Sequence, residues 1–268
     1  MKHLRLLTMA VCALFAGITA SAQEDVTNTY LQNADLSTVN SGWTYYSDAF
    51  KYTDWKTDGD VPVVEFYSQW NAGAPVDITQ KDFKFSQTVT LPAGDYRLAV
   101  NAFYRNGGGD GTNADKAWIF VKGTDVDQKQ NVVALTSAGV ASYTGSNDLY
   151  KAANAFSRGD FSNAFDFSLT SETAEEIGFQ GFFNLSLSWC ILGPVKLYKY
   201  SLDDYLVDYR AKVADAEALY SSPMNATVLA DLQDAVKDES SFSRVAEITA
   251  AIQTLTDKIA AANTSVAE

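Results

Sequence analysis

The chain has 268 residues, with 33 Asp and Glu against 20 Lys and Arg, a formal net charge of −13. That acidic balance excludes nucleic acid and anionic lipid as natural partners, and disfavours strongly anionic polysaccharides, because like charges repel over several ångströms. A length of this order suits one medium domain and one small one.

The N-terminus reads as a secretory signal peptide over residues 1–22. Lys2 and Arg5 precede a short apolar run from Leu6 to Ile18, and Ala20-Ser21-Ala22 is a small-residue cleavage site. The apolar run is too short to cross a bilayer, and no later run is long and apolar enough. The expected product is exported, without a membrane span, to the periplasm or the cell surface. Losing Lys2 and Arg5 leaves 18 basic residues against 33 acidic ones, a net charge of −15. The only histidine, His3, leaves with the peptide. Ser-His-Asp and Cys-His catalysis and histidine-ligated zinc are thereby excluded. The remaining cysteine, Cys190, lies in the apolar stretch LSWCIL and reads as a buried, inert thiol. No intrachain disulfide is available to it.

From Thr27 to Tyr200 the pattern is mainly β. Short aromatic-rich runs alternate with Gly, Asp, Asn and Ser, the pattern of a sandwich or jelly roll. Expected strands are Thr29–Leu31, Trp43–Tyr46, Val61–Tyr67, Phe83–Leu91, Tyr96–Arg105, Ala117–Lys122, Asn131–Leu135, Ala164–Leu169, Glu175–Phe179 and Leu185–Tyr200, the last broken at Gly193-Pro194. Pro92, Gly94 and Asp95 supply hairpin chemistry before Tyr96. Tyr96–Arg105 carries apolar residues on both faces, which predicts a central strand of a sandwich, covered on one side and partly on the other. One helix interrupts the strands: Asp148 is its candidate cap, Leu149, Ala152, Ala153 and Phe156 share a side, and Gly159 closes it.

At Ser201 the periodicity changes. Ser201 and Asp204 form a candidate capping box, and Leu202, Tyr205, Leu206, Tyr209, Val213, Ala216 and Tyr220 keep helical spacing up to Ser222-Pro223. Asn225 or Thr227 opens a second helix, and Ser240 or Ser241 a third. Residues 201–264 therefore predict an all-α three-helix bundle.

The β segments, taken in order, resemble a known family. Asn33–Leu36 with Gly42-Trp43-Thr44 looks like the opening of galactose-binding-domain-like jelly rolls. Gln87–Tyr96 is similar to their hairpin, and Asn101-Ala-Phe-Tyr-Arg105 to the AFYR strand of secreted Bacteroidetes proteins carrying this domain. Ala152–Phe161, Ile177-Gly178 and Trp189–Tyr198 fit later segments, although Gly193-Pro194 stands where many relatives have Asp-Asn-Phe. The resemblance covers residues 26–200. It implies a carbohydrate-binding or adhesive role, and relatives often hold a structural calcium ion.

Sugar recognition needs aromatic faces beside amides, carboxylates or arginine. The stretch Tyr45–Asp60 reads as a loop supplying both, with Tyr46, Tyr52 and Trp55 set among Asp48, Asp54, Lys56 and Asp58. Trp70 in SQWNAG and Arg105 at a strand end complete the expected ligand-binding set. Trp43 and Trp189 read as core, and Trp118, in KAWIFVK, faces into a strand pattern. In the glycine-rich loop from Arg105 to Asp115, Asp110, Asn113 and Asp115 are hard oxygen donors at short spacing, a candidate calcium site that lacks the closing Glu of the twelve-residue calcium loop. No catalytic signature is present, and no other cofactor is expected. The leading expectation is a non-catalytic glycan-binding protein. The alternative is a structural or protein-interaction module of the cell envelope that docks an envelope protein through its helices.

Overall fold

The computed structural model describes residues 23–38, 41–47, 51–58, 61–69, 71–107, 116–135 and 149–267. Residues 1–22, expected as a signal peptide, together with Trp70, Asp148 and the candidate calcium ligands Asp110, Asn113 and Asp115, lie outside the described residues. The chain divides into a β unit, Asp25–Lys199, and a helical unit beginning at Tyr200.

The β unit contains two sheets. Its strands are β1 (Gln23–Asp25), β2 (Thr44–Ser47), β3 (Lys51–Asp58), β4 (Val61–Tyr67), β5 (Asp77–Leu91), β6 (Gly94–Arg105), β7 (Ala117–Lys122), β8 (Asp127–Asn131), β9 (Val133–Ala134), β10 (Ser162–Leu169), β11 (Thr173–Leu185) and β12 (Trp189–Tyr200). One sheet runs β10-β6-β12-β4-β3, with β1 and β9 joined to it off that path; the other runs β2-β5-β11-β7-β8. Every pairing with a described register is antiparallel except the short β6–β9 pair.

The inward faces make one apolar core. Val64, Phe66, Leu98, Tyr104 and Leu192 from the first sheet meet Phe83, Phe85, Ile119, Ile177, Phe179 and Phe183 from the second. The rings of Phe66 and Phe83 stack across the gap at 4.8 Å, and Tyr104 and Phe183 at 5.8 Å. Burial of these large side chains is the main term favouring the two-layer arrangement.

β6 lies between β10 and β12; as expected, one face is buried in the core and the other is covered in part, with Arg97, Ala99 and Asn101 half-buried. The Phe103 end of that outer side is sealed by α2 (Leu149–Ser157), whose Ala152, Ala153, Ala155 and Phe156 pack with Phe103, Phe161, Trp189 and Ile191. Gly193 makes this close approach possible, since a Cβ there would fall 2.8 Å from the Phe156 ring. The β12–β6 register shifts between Leu192 and Val195, so Gly193-Pro194 forms the expected interruption as a bulge within the strand.

Three strand expectations need correction. Residues Thr27–Tyr30 form a short helix, α1, because the Val26 carbonyl accepts from the Thr29 and Tyr30 amides and Asp25 accepts from the Thr27 amide. Asn131–Leu135 is split between sheets: β8 ends in one and β9 pairs with β6 in the other, with the Val132 amide bonded to the Ala117 carbonyl at the crossing. The expected strand Trp43–Tyr46 is β2, but the stretch that follows it, expected as a loop up to Asp60, contributes a further strand, β3, to the other sheet. Its dense polar residues concealed a strand whose pairing with β4 supplies the order.

The helical unit holds α3 (Asp203–Glu217), α4 (Ala226–Asp234) and α5 (Val245–Ala267). They share a core of Tyr209, Ala216, Leu232, Phe242, Ile248, Ala251 and Leu255. Asn225 caps α4 by accepting from the Thr227 amide at 2.8 Å. The third helix starts at Val245 rather than at Ser240 or Ser241, which belong to a 3-10 turn. There the Glu247 carboxylate reaches back to the Ser243 and Arg244 amides, the reciprocal half of a capping box. Among the described residues no helix is long and apolar enough to cross a membrane.

Candidate functional site

The outward face of the five-stranded sheet carries the site. Antiparallel registers place residues from neighbouring strands in transverse rows. One row reads Tyr46 on β2, Lys84 on β5, Gln180 on β11, Trp118 on β7 and Asn131 on β8. The next contains Asp82 opposite Phe182. All of these except Asn131 line an open groove of about 510 Å³ with Gln80, Phe83 and Gly181.

Alternation decides which side chains face it. On β7, Ala117, Ile119 and Val121 belong to the inter-sheet core, so Trp118 must point the other way. On β11, Ile177, Phe179 and Phe183 face inward, which turns Gln180 and Phe182 outward. Tyr46 is 55% exposed. From β2 to β7 are three strand spacings, so the two rings stand roughly 14 Å apart across the sheet.

Trp118 is part-exposed and meets Phe182 edge-on at 6.5 Å. The Lys129 ammonium sits 4.4 Å above its ring. Its Nε1–H is screened from solvent and has no acceptor among the described residues. The polar groups between the rings are partly pre-set. Gln80 donates to Asp82 at 2.7 Å. Lys84 pairs with Glu176 at 2.6 Å, and Ser86 donates to the same oxygen at 2.7 Å. These bonds hold the Glu176 carboxyl below its ordinary range against the opposing effect of burial. The groove thus combines two aromatic faces, an amide, a cation and a carboxylate.

The expected ligand residues disperse. Tyr46 lies in the groove. Tyr52 and Trp55 are in β3, in the other sheet, where Trp55 pairs with Val64; their side chains lie outside the described part of the structure, as does Trp70. Arg105 is corrected outright. It is 4% exposed, with Nε donating to the Gly107 carbonyl and Nη2 to the Leu187 carbonyl, both at 3.1 Å. Its guanidinium lies 5.1 Å from the centre of the Trp189 ring. It holds two turns together. Arg105→Ala should lower unfolding free energy by roughly 2 kcal/mol, because a buried carbonyl and a part-buried one lose their donor, and should leave ligand affinity unchanged in titrations of the folded variant.

Trp43 and Trp189 are core as expected, stacked on Phe85 at 4.6 Å and donating to Glu65 respectively. Trp118, read only as part of a strand pattern, is the groove residue missing from the expected ligand-binding set. The available signal was its place opposite Ala117, Ile119 and Val121 in a strand whose other face could fill the core alone. Cys190 is fully buried, its thiol donating to the Phe103 carbonyl, and burial pushes its acidity well down.

No protein-family model matches the chain, and no curated protein does. Solved structures similar to it include a carbohydrate-binding module, TmCBM61, solved with β-1,4-galactotriose. That one is 15% identical over 63% of this chain and 97% of the module, with a TM-score of 0.39. An adhesin domain of Lys-gingipain from Porphyromonas gingivalis is 14% identical over 66% of this chain and 96% of that domain, with a TM-score of 0.32. A cyclase from Fischerella sp. is 14% identical over 63% of this chain and 94% of its own, with a TM-score of 0.33. Likeness at this level assigns neither family nor function.

Proposed function

We propose that the protein is an exported, non-catalytic glycan-binding protein whose β unit is a galactose-binding-like jelly roll over residues 26–200, followed by a three-helix bundle over 201–264. The observation that carries the reading is the transverse row on the five-stranded sheet, with Tyr46 and Trp118 at its ends and Lys84 and Gln180 between them. Aromatic faces take the apolar side of a pyranose ring, and the groups between them take its hydroxyls. Asp82 and Glu176, with the acidic balance of the chain, favour neutral over anionic chains.

The test is isothermal titration of the protein with neutral oligosaccharides, after a glycan array has chosen them. Saturable binding to at least one neutral glycan is expected. Absence of binding to every neutral plant and host glycan would refute the proposal. The envelope-docking alternative has less to stand on: the exposed large apolar side chains of the described helices are Val207 and Val266, one on α3 and one on α5.

A further inference from the structure

The two aromatic rings of the groove stand too far apart to hold one sugar between them. Tyr46 is on β2, an edge strand, and Trp118 is on β7, with β5 and β11 between. That separation, roughly 14 Å from the strand spacing, exceeds the length of a monosaccharide or a disaccharide. An extended chain can rest on both rings at once. The row also continues past Trp118 to Asn131 on β8, the opposite edge strand. A chain lying along it crosses the strands and leaves the sheet at either side.

The polar groups between the rings differ in what they have left to offer. The Lys84 ammonium is matched by Glu176 at 2.6 Å, and Ser86 donates to the same oxygen. Asp82 accepts from Gln80 through Oδ1, which leaves Oδ2 for a ligand. The Gln180 side chain, at the middle of the row, is half-buried and hydrogen-bonded to no described residue. An amide donates and accepts, and a carboxylate oxygen accepts. Together they suit the hydroxyls of an uncharged unit. Among the groove's lining residues the charge of Lys84 is cancelled and that of Asp82 is not, so an acidic sugar would be repelled.

We infer, on the glycan reading above, that the groove takes the interior of a neutral oligosaccharide of about three units or more, the length that spans the two rings. Tyr46 and Trp118 each stack on an outer unit, and Gln180 and Asp82 take the hydroxyls of the units between. Two weak contacts joined in one ligand reinforce each other through effective concentration, so affinity steps up once the chain reaches from one ring to the other. The row runs from edge to edge of the sheet, so neither end of the chain is gripped.

The test is isothermal titration of the full chain with cello-, manno-, xylo- and galacto-oligosaccharides, each from monosaccharide to hexasaccharide. In a series that binds, affinity should rise by about tenfold or more from disaccharide to tetrasaccharide and then level off. Reducing the end sugar of the hexasaccharide to its alditol should leave its affinity unchanged. Trp118→Ala and Tyr46→Ala should each flatten the length dependence, because one remaining ring holds one unit. Tyr46, exposed on an edge strand, keeps the test available should the first variant fold poorly. A monosaccharide bound as tightly as the tetrasaccharide would overturn the inference and leave glycan binding in place. So would affinity lost on reducing the end sugar, an unaltered length dependence in both variants, or failure of all four series while an array shows another neutral glycan bound. Absence of binding to any glycan would refute the glycan reading itself, and this inference with it.

Discussion

Trp118→Ala should lower glycan affinity by about 30-fold, the equivalent of roughly 2 kcal/mol, because a half-buried aromatic anchor contributes most of a small interface's binding energy. Stability should change little, since the ring faces the outward groove and is not among the inter-sheet core residues. Tyr46→Ala, at the other end of the row, should cost less, about tenfold, because Tyr46 is more exposed and less of its ring would be desolvated. Titration with whichever neutral oligosaccharide binds the wild type checks both. Full affinity in Trp118→Ala would remove the groove as the site.

The second large effect concerns a residue with no ligand role. Asn163 is 1% exposed and sits at the start of β10. Its Nδ2 group donates to the Val100, Ala102 and Phe161 carbonyls at 3.2, 2.8 and 2.8 Å, and its Oδ1 accepts from the Val133 amide at 2.8 Å. One amide thus joins β6, β9 and β10 where α2 returns to the sheet. Asn163→Ala should destabilise the β unit by about 3 kcal/mol, since it strands buried carbonyls and an amide. Asn163→Asp should cost more, because it turns a carboxylate toward three carbonyl oxygens. Urea unfolding checks both, with the midpoint falling and the slope unchanged. A midpoint within error of the wild type for Asn163→Ala would show that water replaces the side chain without loss.

The glycan reading also separates cleanly from these structural terms. Arg105 and Asn163 should change melting and leave affinity alone. Trp118 and Tyr46 should do the reverse. A protein whose only role was structural would show no affinity for either pair to change.

Much of the architecture was legible from residue order. Val61–Tyr67 and Ala117–Lys122 are strands with the expected ends, and β6 is the central strand its two apolar faces require. The helix over 149–157 and the switch to helical spacing after Tyr200 were equally plain, because periodicities of 2 and 3.6 differ sharply. The candidate site was not legible in the same way. Arg105, expected among the ligand-binding residues, is buried, and Trp118, outside that expected set, lines the groove.

The amino-acid sequence by itself determined a mainly β protein with a helical end, with His3 as its single histidine and a formal net charge of −13. Those properties are composition and local period, and they need no partner. Only the tertiary structure decided which face of β7 meets water, which sheet receives β3, and that Arg105 spans two turns. Alternation divides a strand's residues into two sets, but the choice of inward set depends on what the opposite sheet presents, and no single strand carries that information.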